Sequence, residues 1–136
     1  MNSGKELRFE VDGRLMAALE FGDPAGLPVV ALHGWLDNAA TWKLVAAELK
    51  GIRLIALDLM GHGFSDHRPE AMPYYIWDNV ADVVAVLDEL GLEQVHLLGH
   101  SMGASIATLL AGCYPQRVKQ LCLVEGIAPL VYEPEK

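Results

Sequence analysis

Cysteine is scarce in this chain, which has only Cys113 and Cys122. Two cysteines build no disulfide framework, and both fall in apolar stretches, so they are expected to pack as small hydrophobes. There is no Cys-x-x-Cys pair and no histidine, cysteine or carboxylate cluster at metal-ligand spacing, so no metal is expected. A dinucleotide fingerprint is also missing. Gly61-x-Gly63 lacks the third glycine and follows the wrong strand, and no cofactor is expected. Positive charge is in short supply: 10 Lys and Arg face 18 Asp and Glu, for a net charge of −8. Such a surface repels phosphate backbones and anionic lipid, so neither nucleic acid nor membrane is an expected partner. No apolar run reaches the ~18 residues of a membrane span. Met1 to Glu10 is charged rather than apolar, unlike a signal peptide, and a cytoplasmic location is the default expectation. What the chain does have is a globular composition, 52% hydrophobic and 21% charged over 136 residues, enough for one compact domain.

Leu7, Phe9 and Val11 alternate with polar residues, Asp12-Gly13 follows, and Leu15 to Phe21 resumes the pattern. This predicts an antiparallel hairpin on an Asp-Gly turn. Gly22 to Pro28 reads as loop. Val29 to Leu32, Ile52 to Leu57, Val95 to Leu98 and Val118 to Val124 are short continuous apolar runs, as expected of strands buried on both faces. Three helices alternate with them. Asn38 caps the first, which runs to about Lys50 with Trp42, Val45, Ala46 and Leu49 on one face. Asp78 caps the second, with Val80, Val83, Val84, Leu87 and Leu90 as its buried stripe and Gly91 as its stop. The third runs from about Met102 to Tyr114 and halts before Pro115. Strands alternating with helices predict a three-layer α/β/α fold, its sheet mostly parallel and led by the hairpin. Leu130 to Lys136 trails off without closing it.

The sharpest motif is Gly99-His100-Ser101-Met102-Gly103. It matches G-x-S-x-G with an apolar strand before it and an apolar helix after it. The turn presents Ser101 at the mouth of the sheet and at a helix N-terminus, where a developing anion is favoured. Gly99 and Gly103 are required because side chains there would strike neighbouring elements. A second loop, His33-Gly34-Trp35, also follows a buried strand. Loops at the carboxyl ends of strands face the site in such sheets, so the N–H of Trp35 pairs with that of Met102 as candidate oxyanion donors. Asp58, which opens Asp58-Leu59-Met60-Gly61-His62-Gly63-Phe64-Ser65, is expected to satisfy loop N–H groups rather than to catalyse.

Taken in order, His-Gly-Trp, Asp-Leu-x-Gly-His-Gly-x-Ser and Gly-His-Ser-Met-Gly resemble the α/β-hydrolase superfamily. So does the step Tyr114-Pro115-x-Arg117-Val118. Within it, His33 to Asn38 and Asp58 to Pro69 are similar to the serine hydrolase-like proteins. The resemblance runs from Leu7 to Pro129 and implies an eight-stranded sheet of which six strands are present. It thus implies that 1–136 is the N-terminal part of a single domain, lacking a cap and the last two strands. The family's order of Ser, then acid, then His places the base beyond Lys136, and the resemblance gives His33 the task of holding the oxyanion loop.

None of the five histidines is a credible base. His100 points away from Ser101, His62 shapes a glycine turn, His67 has no placed partner, and His96 lies at the wrong end of its strand. Glu125 ends the sixth strand at the active-site edge. Some family members, including one haloalkane dehalogenase group, carry the acid there; those use an Asp nucleophile, so Ser101 argues against dehalogenation. Glu125 thus stands as candidate acid or as a plain loop carboxylate. Two functions remain open. One is a serine hydrolase acting on small carboxylic esters or related acyl substrates, incomplete and nearly inactive in this chain alone. The other is a non-catalytic module that pairs through its sixth strand, with a second copy or with a chain bearing the missing half.

Overall fold

A computed structural model describes residues 3–126. The hairpin forms as its turn dictates. Strands β1 (Lys5–Val11) and β2 (Arg14–Gly22) pair antiparallel across Asp12 and Gly13, both with positive φ, as a two-residue turn demands. The remaining strands are β3 (Leu27–Leu32), β4 (Ile52–Leu57), β5 (Val95–His100) and β6 (Val118–Val124). Together they make one six-stranded sheet in the order β1-β2-β4-β3-β5-β6, antiparallel through β2 and β4 and parallel from β4 onward. The three-layer fold expected from the alternation is the fold observed.

Alternation along the central strands sorts their side chains to two cores. Val30, Leu32, Ile55, Leu57 and Leu97 face α2 (Ile76–Glu89) and α3 (Met102–Cys113), meeting Val83, Leu87, Ile106 and Leu110. Val29, Ala31, Leu54, Ala56 and Leu98 face Ala39 and Trp42. The chain crosses from β3 to β4 in one direction and then jumps back past β3 to β5. The crevice between the carboxyl ends of β3 and β5 is therefore the switch point, where open α/β sheets bind ligands.

Five local expectations are corrected. Asn38 does cap, accepting the Ala40 N–H at 3.0 Å, but it starts a 3-10 turn, Ala39–Trp42, and α1 proper is only Lys43–Glu48. Val45 and Leu44 are exposed, because Ala39 and Trp42 of the preceding turn do the burying and α1 is only six residues long. Helix α2 begins at Ile76, so Asp78 sits in its first turn rather than at the cap, where its charge still suits the positive end of the dipole. The loop before β3 is tighter than expected, since β2 runs to Gly22 and β3 starts at Leu27. Finally, β6 is mostly exposed rather than buried, with Leu121 and Val124 about two-fifths accessible. It pairs with β5 alone among the described strands, and the face carrying Gln120, Cys122 and Val124 is left open, while α3 packs against the other. Both cysteines are exposed for related reasons, Cys122 on that strand and Cys113 on the last turn of α3. The trailing segment Leu130 to Lys136 lies outside the described residues.

No helix among the described residues is long and apolar enough to cross a membrane. No group of three or more potential metal ligands gathers among them.

Candidate active site

The backbone of Ser101 is the most distorted point of the site, with φ 53° and ψ −113°. A non-glycine residue there is strained, by roughly 1–3 kcal/mol, and persists only where its surroundings over-determine it. They do so here. The Ser101 N–H donates to the Val124 carbonyl at the end of β6, and its own carbonyl accepts from Ala104 and Ser105 at the start of α3. The strand-to-helix turn is tight enough that a Cβ on Gly99 would lie 2.5 Å from the Gly103 carbonyl oxygen. The serine side chain is left exposed at the helix N-terminus, and the N–H of Met102 follows it.

The loop after β3 packs directly on this elbow. A Cβ on Gly34 would meet His100 Nδ1 at 3.3 Å and the Ser101 Cβ at 3.4 Å, a fit tight enough that the His100 ring would have to give slightly. Trp35 comes next and is largely exposed, and Leu36 adopts a left-handed φ of 59°. Trp35, Leu36 and Met102 line a cavity of about 350 Å³, walled also by Met60, His62, His67, Tyr74, Ile76 and Asn79. Its lining is chiefly apolar with a few polar groups, the common make-up of a small-molecule site.

His33 is wholly buried. Its Nδ1 donates to the Gly34 carbonyl at 2.7 Å, which leaves Nε2 to accept the Leu59 N–H at 3.0 Å. Burial pushes its pKa below the ordinary imidazole value, and its position among backbone groups suits the neutral ring. Asp58 is buried too. One carboxylate oxygen accepts from the Ala39 N–H at 2.7 Å and the other from the Phe64 N–H at 3.0 Å. Gly63 lies against that carboxylate, leaving no room for a Cβ. Asp58 thus ties the loop after β4 to the start of the 3-10 turn.

Two residues stand apart from the serine hydroxyl. His100 is partly exposed, its Nε2 3.8 Å from a carboxylate oxygen of Glu125. Glu125 is mostly exposed, with a φ of 52° just past the end of β6. Among the described residues no histidine hydrogen-bonds the Ser101 hydroxyl. His96 lies far off on the groove beside β6, and His67 sits on the cavity wall.

Sequence reasoning missed two features. One is the left-handed Leu36 with its partner His62, which leaves no compositional trace because the bond is to a backbone N–H. The other is a buried ion pair, Arg68 to Asp82 at 2.7 Å, with Arg68 also stacked near Tyr74. Asp82 beside Val80 and Val83 was its available signal, a carboxylate next to the buried stripe of a helix.

Residues 28–134 match the family described as alpha/beta hydrolase fold. A serine hydrolase-like protein of Dictyostelium discoideum is 34% identical over 139 residues, covering 99% of this chain and 39% of that protein. Among solved structures, a hypothetical protein from Pseudomonas aeruginosa PAO1 superposes with a TM-score of 0.90 at 48% identity, over 94% of this chain and 45% of that one. A thioesterase domain from the curacin biosynthetic pathway does so at 0.82 and 34% identity, over 88% and 43%. The chain thus spans less than half the length of these relatives. With three motifs in register, the switch-point crevice and a match over most of its length, the chain belongs to the α/β-hydrolase fold family.

Proposed function

We propose that this chain supplies the nucleophile and oxyanion loop of a serine hydrolase acting on carboxylic esters or related acyl substrates. The strained, exposed Ser101 carries the reading. It opens α3 beside a cavity lined by Trp35 and Met102. Ser101 Oγ attacks the acyl carbonyl, the N–H groups of Met102 and Trp35 receive the oxyanion, and water releases the acyl group. His33, Gly34, Gly99, His100, Gly103 and Asp58 support the two loops, and Glu125 stands at the active-site edge as candidate acid. The chain is the N-terminal part of one hydrolase domain, and the general base comes from outside it. Alone, the chain holds a nucleophile without a base and is nearly inactive.

The test is covalent labelling. A fluorophosphonate probe incubated with the chain is expected to react slowly and only within the peptide bearing Ser101, as located by mass spectrometry. A label elsewhere, or equal labelling of Ser101→Ala, would refute the assignment.

A second reading rests on a different observation: the exposed edge and face of β6. Its outer N–H and C=O groups have no partner strand among the described residues. Leu121, Cys122 and Val124 line a groove of about 820 Å³ with Leu27, Val29 and Trp42. An apolar edge strand invites pairing, and a second copy offers an identical one. Light scattering over a dilution series is expected to show the chain above monomer mass at micromolar concentration. A monomer at every concentration would rule this out.

A further inference from the structure

We infer that His62 is a positioning residue for the oxyanion loop, holding Leu36 in its left-handed conformation and thereby aiming the N–H of Trp35. The inference deepens the hydrolase reading and rests on it.

Two histidines brace the loops after β3 and β4 in opposite directions. From the first loop, His33 Nε2 accepts the N–H of Leu59 in the second. From the second loop, His62 Nε2 accepts the N–H of Leu36 in the first, at 3.1 Å. Each ring uses its other nitrogen locally, His33 Nδ1 toward the Gly34 carbonyl and His62 Nδ1 toward the Met60 carbonyl. The rings meet with centroids 4.9 Å apart. Both must therefore be Nδ1–H tautomers with a bare Nε2. The two braces are not equivalent, however. His33 is sealed in the interior, whereas His62 lines the cavity beside Trp35 and Leu36 and is reached from solvent.

The bond to Leu36 matters because of the conformation it holds. Leu36 is a bulky residue at φ 59°, a backbone state that nothing in its own side chain favours. Its side chain is three-quarters exposed, so packing does not impose that state either. What remains is hydrogen bonding, the His62 bond on its own N–H and the turn bond that spans it. The peptide unit bearing that N–H also carries the Trp35 carbonyl, so its orientation is coupled to the plane of the preceding peptide, whose N–H is the proposed oxyanion donor. Leu36 is the third residue of the turn that the Asp37 N–H closes on the Gly34 carbonyl; at 3.3 Å that bond is long, and the His62 bond at 3.1 Å is the stronger restraint.

Protonation of His62 would turn Nε2 from acceptor into donor and break the brace. Several groups face the ring. His33 stands against it from the β3 loop, and Asp37 lies on that loop beyond Leu36. The Asp58 carboxylate at the end of β4 is occupied by two N–H groups. His67 and Tyr74 line the same cavity.

Amide exchange on the 15N-labelled chain tests this. In His62→Phe, which keeps a ring and loses both bonds, Leu36 exchange is expected to rise about 5- to 10-fold, the effect of one net hydrogen bond. Amides of β3 and β4 should hold, as should Leu59, which His33 serves. His62→Gln, whose side-chain oxygen accepts the same N–H without titrating, should restore most of the protection. It should also lose the acid-side fall in protection expected of the wild type. Unchanged Leu36 exchange in His62→Phe, or wild-type protection indifferent to pH while the His62 ring nitrogens titrate, would overturn the inference. Should His62→Phe not fold, the flat pH profile of His62→Gln decides alone. The hydrolase reading is tested separately by the fluorophosphonate adduct of Ser101. If the adduct forms and the Trp35 amide signal does not move, the donor role fails while the brace stands.

Discussion

Gly103→Ala is expected to destabilise the chain by about 3 kcal/mol or more, at least a hundredfold in the folding equilibrium and a large fraction of the stability of a small domain. Helix propensity alone would favour the change, since alanine is the better helix former and Gly103 is the second residue of α3. The cost lies in what the helix start touches. A methyl group there would be driven into the Leu32 carbonyl at the end of β3, with the His33 carbonyl oxygen only 2.7 Å away. Both are backbone atoms of a fully buried strand end, with no rotamer to give way. The helix would have to lift, and it cannot lift freely. Ser101 is pinned to Val124 on one side, and Ile106, Ala107 and Leu110 are buried on the other. Gly112, near the far end of the same helix, is the control. A Cβ there meets nothing within 4 Å, and Gly112→Ala should be neutral or stabilising by up to about 1 kcal/mol. Urea midpoints followed by circular dichroism measure both. A Gly103→Ala midpoint near that of the wild type would show that α3 has slack this geometry denies.

The same residue explains why so much of the site could be read in the sequence. Close approach of backbones leaves a chemical mark, because only glycine tolerates it. Gly63, Gly99 and Gly103 each mark a point where one loop presses on another or on a strand end. Strand and helix placement was legible from the alternating and continuous apolar runs, because the two faces of β3, β4 and β5 are both buried. Where burial is one-sided the pattern misled. β6 has the composition of a central strand, yet its exposed face is a property of its neighbours, not of Val118 to Val124. Cys122 followed it into the same error. The helix caps slipped for another reason. Asp78 has the right side chain for an N-cap, but Tyr75, in extended conformation before Ile76, starts the helix without any side-chain bond. Contacts made by side chains to backbone N–H groups far along the chain, such as His62 to Leu36 or Asp58 to Ala39, have no spacing rule. They become visible only when the loops are folded together.

Asp82→Ala is expected to cost about 3–5 kcal/mol, because it would strand the guanidinium of Arg68 in the interior. Both partners are under one-tenth exposed, they meet at 2.7 Å, and Arg68 Nε finds no acceptor among the described residues. The pair is nonetheless a poor bargain compared with apolar packing. Burial pushes the Asp82 carboxyl above its ordinary value of 3.8 in spite of the adjacent positive charge, so desolvation outweighs the attraction. The sign for pH follows from that. The folded state holds this proton to higher pH than the unfolded chain does. The penalty for ionising Asp82 is therefore absent well below pH 3.8 and grows as pH rises through and above it. Replacing both residues by apolar ones of similar size, Arg68→Met with Asp82→Leu, should recover most of the single-variant loss and remove that slope. Urea titrations of the three proteins at several pH values would show it; a double variant as unstable as Asp82→Ala would mean that the charges themselves hold the fold. What the pair secures is position. Arg68 donates its backbone N–H to the Tyr74 hydroxyl at 2.8 Å, its guanidinium lies over that ring, and Tyr74 walls the cavity beside Trp35 and Met102. The ion pair anchors this loop to α2 and holds the guanidinium over Tyr74, so an apolar replacement that keeps the stability should still loosen Tyr74 and the cavity wall.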